Sequence, residues 1–123
     1  MRTDHHSRFA VRFFAAVGAF ACAFAVALGA YAAHGVSDAG AKSRLDSAVL
    51  YLLVHGLALC IFAPRQSGRM EWWSLLGWFA GMVLFCGSLV GATLWNMPTM
   101  LAPAGGSLLI LSWLLQGAAS LWR

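Results

Sequence analysis

Residues 72–121 read WWSLLGWFAGMVLFCGSLVGATLWNMPTMLAPAGGSLLILSWLLQGAASL, a run without one charged side chain. The hydrocarbon core of a bilayer is about 30 Å thick, and a helix that rises about 1.5 Å per residue crosses it in about 20 residues. The run is therefore too long for a single crossing. Asn96, Pro98 and Pro103 interrupt it near its middle, and proline disfavours a helix interior. The stretch predicts two transmembrane helices joined as a hairpin.

Two further uncharged runs, residues 13–33 and 47–64, are each long enough for one crossing. Hydrophobic residues make up 61% of the 123 residues and charged ones 10%, against about 25% charged in ordinary soluble domains. We therefore expect an all-α fold, an integral membrane four-helix bundle made of two antiparallel hairpins. The helices are expected at about 13–34, 44–63, 72–95 and 103–122. They would form one transmembrane domain, 13–123, after a cytoplasmic tail at 1–12.

Lysine and arginine are unevenly divided between the two ends of the predicted bundle. With the amino terminus inside, the inner segments hold six of them and the outer loop holds two. The positive-inside rule then predicts a multi-pass protein of the bacterial inner membrane with both termini cytoplasmic, or facing the matrix in a mitochondrion. The first apolar run is longer than the core of a typical signal peptide, so we expect it to be retained as an anchor.

The net charge of +4 is spread over the ends of the predicted helices. It forms no basic face, and no nucleic-acid-binding module is recognisable. Membrane lipids, rather than nucleic acid, are the expected partners of these cations.

Aromatic and capping residues support the helix boundaries. Trp72 begins the third helix and Trp95 ends it, at the positions where tryptophan marks the membrane interface. Ser43, with Asp46 three residues later, resembles a capping box. This pattern predicts that the second helix starts near residue 44 and that residues 34–42 form an outer loop.

Small residues recur at helical spacing, which in lipid lets helices approach closely and gain dispersion contacts. We expect them to pack helices rather than to line a pore. The ridge on the first helix consists of Ala15, Ala19, Ala23 and Ala27, and the expected packing glycines are Gly29, Gly77, Gly81, Gly87, Gly91, Gly105 and Gly106.

One polar stripe on the second helix could carry chemistry. Ser47, Tyr51 and His55 repeat every four residues and so share a face, which should turn toward the bundle. His55 falls near the bilayer midplane, where an ionisable residue is costly and needs a partner. It is either part of a proton relay or ligand site, or a neutral histidine held by a neighbouring hydroxyl or carbonyl, and we favour the second interpretation.

The other polar candidates form no recognisable active site. His34 closes the first helix, where an imidazole can bind the last carbonyls, and it should differ from His55 in depth by about 15 Å, too far for a shared haem or metal. Ser88 has no base beside it in the sequence, and no zinc, phosphate-loop or paired-carboxylate motif occurs. We expect no enzyme, no cofactor and no metal. The three cysteines should pack as small apolar residues.

Four segments in register resemble the YgdD-like family of uncharacterised small membrane proteins of bacteria and mitochondria. They are LGAYAAHG (28–35), YLLVHGLAL (51–59), LFCGSL (84–89) and PAGG (103–106). The resemblance covers nearly the whole chain from the first helix to the fourth. It implies a four-helix membrane fold and supplies no activity.

The chain departs from that family at Cys86, Val90 and Ala102, where the family usually has Ser, Tyr and Thr. Each departure removes a hydroxyl. A polar network linking the histidines with Ser88 would therefore lack three of its members.

These features give a leading hypothesis and an alternative. The leading one is a non-enzymatic accessory or packing subunit of a larger inner-membrane complex, with other integral membrane subunits or further copies of itself as partners and a respiratory complex as a host by analogy. The alternative is a proton or small-molecule pathway centred on Tyr51 and His55. An enzyme acting on lipid would need polar groups converging in a cleft near Ser88.

Overall fold

The computed structural model describes the backbone of residues 2–122 and the side chains of residues 4–122. This part of the chain contains four long helices and no strand: α1 (Arg2–Gly35), α2 (Ala39–Phe62), α3 (Arg69–Trp95) and α4 (Ala102–Leu121). A short 3-10 turn, Ala63–Arg65, follows α2. All four helices are long and apolar enough to cross a membrane. The expected all-α integral membrane four-helix bundle is confirmed.

The two hairpins, α1–α2 and α3–α4, join through contacts between α2 and α3. Aromatic rings add links between α1 and α3 and between α2 and α4. Phe14 of α1 lies 5.9 Å from Phe79 of α3, and Phe62 of α2 lies 6.4 Å from Trp113 of α4, measured between ring centroids. Trp78 of α3 is the largest fully buried side chain. The helices therefore share one apolar core.

Helix α2 begins at Ala39, five residues before the expected start, because Asp38 caps it. The Asp38 carboxylate accepts a hydrogen bond from the Ala41 N–H at 2.7 Å. The Asp38 backbone is extended, with φ −72° and ψ 122°, as is usual for an N-cap residue. The cap expected at Ser43 is therefore wrong, and the connection between α1 and α2 shrinks to residues 36–38.

Helix α1 is 34 residues long and starts at Arg2 rather than near residue 13. At about 1.5 Å per residue it measures about 51 Å, which exceeds the roughly 30 Å hydrocarbon core. It therefore extends beyond the core. A continuous helix does not mark the membrane surface, so the division between tail and membrane domain at residue 12 stays a prediction.

Helix α3 begins at Arg69 because the buried Glu71 carboxylate binds backbone groups ahead of it. Glu71 accepts hydrogen bonds from the Ser67 N–H at 2.6 Å and the Gly68 N–H at 3.1 Å. These contacts satisfy amides that the first helical turn would leave unpaired.

The buried face of α1 differs from the expected alanine ridge. The residues that are buried on α1 are Phe14, Gly18, Ala21, Ala25, Leu28 and Ala32. Ala19, Ala23 and Ala27 are exposed on the surface of the bundle. Helices α1 and α2 approach closely at Gly18 and Gly56, since a Cβ on Gly56 would lie 2.8 Å from the Gly18 carbonyl oxygen.

Glycines also set the distance between α3 and α4. A Cβ on Gly105 would lie 2.5 Å from the Phe85 nitrogen and 2.9 Å from the Gly81 carbonyl oxygen. A Cβ on Gly77 would overlap the Ser112 side chain. Only residues without side chains fit at these contacts, as is common between membrane helices.

The other expected packing glycines have looser surroundings. A Cβ on Gly29 would lie 3.6 Å from Val49, one on Gly106 would lie 3.7 Å from the Phe85 ring, and one on Gly91 would lie 3.2 Å from Met97 in the α3–α4 connection. A Cβ on Gly87 would meet nothing within 4 Å. Gly87 therefore faces open space instead of another helix of the described chain.

Candidate functional site

The His55 ring is hydrogen-bonded at both nitrogens. Its Nδ1 lies 2.7 Å from the Tyr51 carbonyl oxygen, and the Trp113 indole N–H donates to its Nε2 at 3.0 Å. Because an indole nitrogen can only donate, Nε2 must accept. Nδ1 then carries the proton and donates it to the carbonyl. The two contacts select one tautomer of a neutral imidazole.

Three helices position this ring. His55 belongs to α2 and is only 3% exposed. Trp113 reaches it from α4, and Trp113 in turn packs on Trp78 of α3 with ring centroids 4.6 Å apart. Trp113 therefore fills the space between α2 and α4, which are not adjacent in the chain. The hydrogen bond to His55 ties these two helices together across the core.

Tyr51 lies beside His55, as the stripe predicted, but it is more exposed than expected. Its ring stacks on the imidazole at 5.8 Å with an angle of 5° between the planes, and it also contacts the Phe85 ring at 4.5 Å. The side chain is 37% exposed. Within residues 4–122 its hydroxyl has no hydrogen-bond partner. Tyr51 thus lies at the rim of the bundle, and only His55 turns fully inward.

His34 and Ser88 lie apart from this pair. His34 is exposed in the last turn of α1, and the Ser88 hydroxyl is buried without a partner among the described residues. No hydrogen bond or ring contact within the described chain joins either residue to Tyr51 or His55. The four candidates do not form one site.

Cys86 stands where the resembling family usually has serine, and its thiol still donates, to the Ala48 carbonyl oxygen at 3.6 Å. No group of three His, Cys, Asp or Glu side chains in residues 4–122 is arranged to hold a metal ion.

Sequence reasoning missed Trp113, which makes the one polar contact between His55 and another helix in the described chain. Its position was a usable signal. Tryptophan in membrane helices favours the interfaces, whereas Trp113 falls in the middle of the predicted fourth helix. Ser112 and Gln116, on the same helix, are buried, whereas Trp113 is 39% exposed; the polar residues could have indicated an inward polar face on α4.

The geometry limits what this arrangement can do chemically. Neither nitrogen of the His55 ring has a free lone pair or proton, so binding a metal or relaying a proton would first require breaking one of its two hydrogen bonds. The Tyr51 hydroxyl is the group of the pair that remains open to a ligand.

Comparison with known proteins gives a consistent result. A family model described as "Protein of unknown function (DUF423)" matches residues 28–106. A UPF0382 membrane protein of Haemophilus influenzae is 34% identical over 74% of this chain and 79% of its own length. The UPF0382 membrane protein YwdK of Bacillus subtilis is 33% identical over 85% of this chain and 93% of its own length. One from Staphylococcus aureus is 32% identical over 85% and 92%.

No solved structure matches the chain. The expected resemblance to an uncharacterised membrane family agrees with these relatives, although the name YgdD is not among those given above. The relatives' names state that they are membrane proteins, which fits the multi-pass fold, and they give no support to a respiratory host.

Proposed function

Because the chain belongs to the DUF423 family, whose function is unknown, we propose that it is a non-enzymatic packing protein that docks sideways on another integral membrane protein. It does so in the bacterial inner membrane with both termini cytoplasmic. The proposal does not name a respiratory complex as the partner.

The outward face of α1 carries the proposal. Five exposed alanines form a ridge there, at positions 16, 19, 23, 27 and 30, on the side of the helix opposite the buried stripe. This exposed ridge shares Ala19, Ala23 and Ala27 with the ridge expected from the sequence. A face of small residues gains little from lipid tails, but it lets the backbone of a second helix come close and gain dispersion contacts. Inside the described chain this ridge has no helix to pack on. A helix of another protein would complete the packing.

A row of aromatic side chains runs beside the alanines. Successive members are four or seven residues apart, which at about 100° per residue places them all within about 60° of the helix circumference. Phe20 is 74% exposed and Phe9 is 71% exposed. Such rings supply large contact areas at low entropic cost. The row consists of Phe9, Phe13, Phe20, Phe24 and Tyr31.

The interior of the bundle supports the same conclusion. The one buried imidazole of the described chain is held by a carbonyl and an indole, and its hydrogen bonds serve to join helices. The groups that still lack a packing partner therefore lie on the surface of the bundle.

Purification of the tagged protein from native membranes in mild detergent tests this function. We expect a stoichiometric membrane protein to co-purify. Ala23→Leu places a branched side chain in the middle of the ridge, without a clash inside the bundle because Ala23 is exposed. It should lower recovery of the partner about tenfold, equivalent to about 1.4 kcal/mol of binding free energy.

Ala104→Leu is the matched control, since Ala104 is also exposed but lies on α4. It should leave recovery of the partner unchanged. A wild-type protein that purifies alone as a monomer contradicts docking. A homodimer that Ala23→Leu disrupts keeps the surface but replaces the partner with a second copy.

A small-molecule or proton pathway is the second candidate, favoured by the open hydroxyl of Tyr51. It predicts that Tyr51→Phe and His55→Leu both fold and both lose a measurable flux across reconstituted vesicles. If His55→Leu is silent in that assay while the protein stays folded, the pathway is excluded.

A further inference from the structure

A groove of about 350 Å³ lies between α1 and α3, with α2 beneath it. Its floor is buried and apolar, and includes Leu52 of α2 with Met82 and Val90 of α3. Its walls are exposed: Phe24 of α1 on one side and Trp95 of α3 at the end. The groove is therefore an apolar cleft on the surface of the bundle, open to the surrounding lipid.

The groove has the length of one leaflet. From Met82 to Trp95 it follows thirteen helical steps, or about 20 Å at about 1.5 Å per residue. Half of a roughly 30 Å hydrocarbon core is about 15 Å. A transmembrane helix from a partner would need a groove across the full core. A single acyl chain of one leaflet matches the observed extent.

Gly87 leaves the middle of the groove open. It lines the groove, and a Cβ added there would meet nothing within 4 Å. Glycine in a helix interior costs about 0.5–1 kcal/mol relative to alanine. No contact inside the described chain fills the space above Gly87, so the groove has room for an occupant there.

A cation lies at the outer mouth of the groove. Arg44 lies two turns above Leu52 on the same face of α2, and its Nε donates to the Thr93 hydroxyl of α3 at 3.4 Å. Thr93 is two residues before Trp95, where the groove ends. The Arg44 guanidinium is thereby held where the headgroup of a lipid in the groove would lie.

The described charged side chains near Arg44 do not form an ion pair with it, so its guanidinium can bind an anion. Lys42 is paired with Asp46 at 2.9 Å, and the Asp38 carboxylate caps the start of α2. Among residues 4–122 no carboxylate lies within ion-pair distance of Arg44. A guanidinium presents several donors in a geometry that suits phosphate oxygens.

We propose that the groove binds one phospholipid, with an acyl chain along Leu52, Gly87 and Val90 and its phosphate on Arg44. The apolar floor accepts the chain, and Trp95 lies at the level of the headgroups, where tryptophan is favoured. An anionic headgroup adds attraction for Arg44. This site is separate from the docking face on α1, apart from Phe24, which borders both.

Native mass spectrometry of the delipidated protein, titrated with phosphatidylglycerol, tests the chain-binding part. The wild type should show one tightly retained lipid. Gly87→Leu places a branched side chain in the groove, at a position where a Cβ meets nothing within 4 Å, and should weaken that binding at least tenfold. Gly117→Leu is the control, because a Cβ at Gly117 also meets nothing within 4 Å, on α4 and away from the groove; it should bind like the wild type.

The headgroup part has its own pair of variants. Arg44→Gln should weaken binding about tenfold, while Lys42→Gln, which removes a cation already paired with Asp46, should change it less than twofold. Phosphatidylglycerol with a photoreactive group in its chain should label residues 82–95 of the wild type, a result that depends on no substitution.

Three results would overturn the site: no retained lipid in the wild type, equal binding by Gly87→Leu, or photolabelling only of residues that do not line the groove. Equal binding by Arg44→Gln would remove the phosphate contact. If Gly87→Leu lowered co-purification of a protein and left lipid binding intact, the groove would hold a helix instead. Ala23→Leu should leave lipid binding unchanged, so this site and the docking face can fail separately.

Discussion

At the scale of single residues, the contact between His55 and Trp113 is the most specific interaction of the bundle. Trp113→Phe keeps an aromatic ring against Trp78 but removes the N–H that donates to the His55 ring. It leaves a buried acceptor without a partner, which costs about 1–3 kcal/mol. Denaturant titration in detergent should show a loss of that size in the free energy of unfolding.

Trp122→Phe provides the comparison. Trp122 is 77% exposed, so its substitution should change the free energy of unfolding by less than about 0.5 kcal/mol. Equal effects of the two substitutions would show that the indole N–H of Trp113 adds nothing to stability.

His55 could be identified from the sequence because a histidine within an apolar run is recognisable without knowing the rotation or depth of its helix. Its partner could not be identified so directly. Which residue of α4 meets His55 depends on the rotation and depth of both helices, and these are set by close contacts such as that of Gly105 with Phe85. Hydropathy alone carries no information about either quantity.

At the scale of helices, two glycines of the α3–α4 hairpin should respond oppositely to the same substitution. Gly105→Ala would put a Cβ 2.5 Å from the backbone nitrogen of Phe85, and a backbone atom cannot move aside as a flexible side chain can. We expect a loss of about 1–3 kcal/mol in the free energy of unfolding, as for overpacked cores.

Gly87→Ala meets nothing within 4 Å and gains helix propensity, so it should raise the free energy of unfolding by up to about 1 kcal/mol. Thermal melts of the two variants, measured in one detergent, check the difference. Two variants equally less stable than the wild type would mean that Gly87 is packed after all.

The spans were predictable because their lengths and apolar composition are properties of the sequence itself. Which face of each helix is buried was harder to predict. Alanine occurs on both sides of α1, and the sequence favoured Ala19, Ala23 and Ala27 where the structure buries Ala21 and Ala25. The start of α2 was misplaced for a related reason, because Asp38 and Ser43 both suit an N-cap and only the backbone geometry decides between them.

At the scale of the whole molecule, we expect the distribution of cations to determine the direction in which the bundle inserts into the membrane. Four arginines at the inner end of the described chain, Arg8, Arg12, Arg65 and Arg69, face two cations at the other end, Lys42 and Arg44. Lys42 is in addition paired with Asp46, so the outer end is closer to neutral than a simple count suggests. The positive-inside rule then predicts that both termini lie in the cytoplasm.

Cysteine labelling in intact cells can measure this orientation. Ser37→Cys lies in the connection between α1 and α2, and Ser7→Cys lies near the start of α1; both positions are exposed. A membrane-impermeant maleimide should label Ser37→Cys in intact cells and Ser7→Cys only after permeabilisation. The native cysteines all lie within the apolar helices, and a wild-type sample measures their background. The reverse pattern would place the arginine-rich end outside, and the cations would then not determine how this bundle inserts.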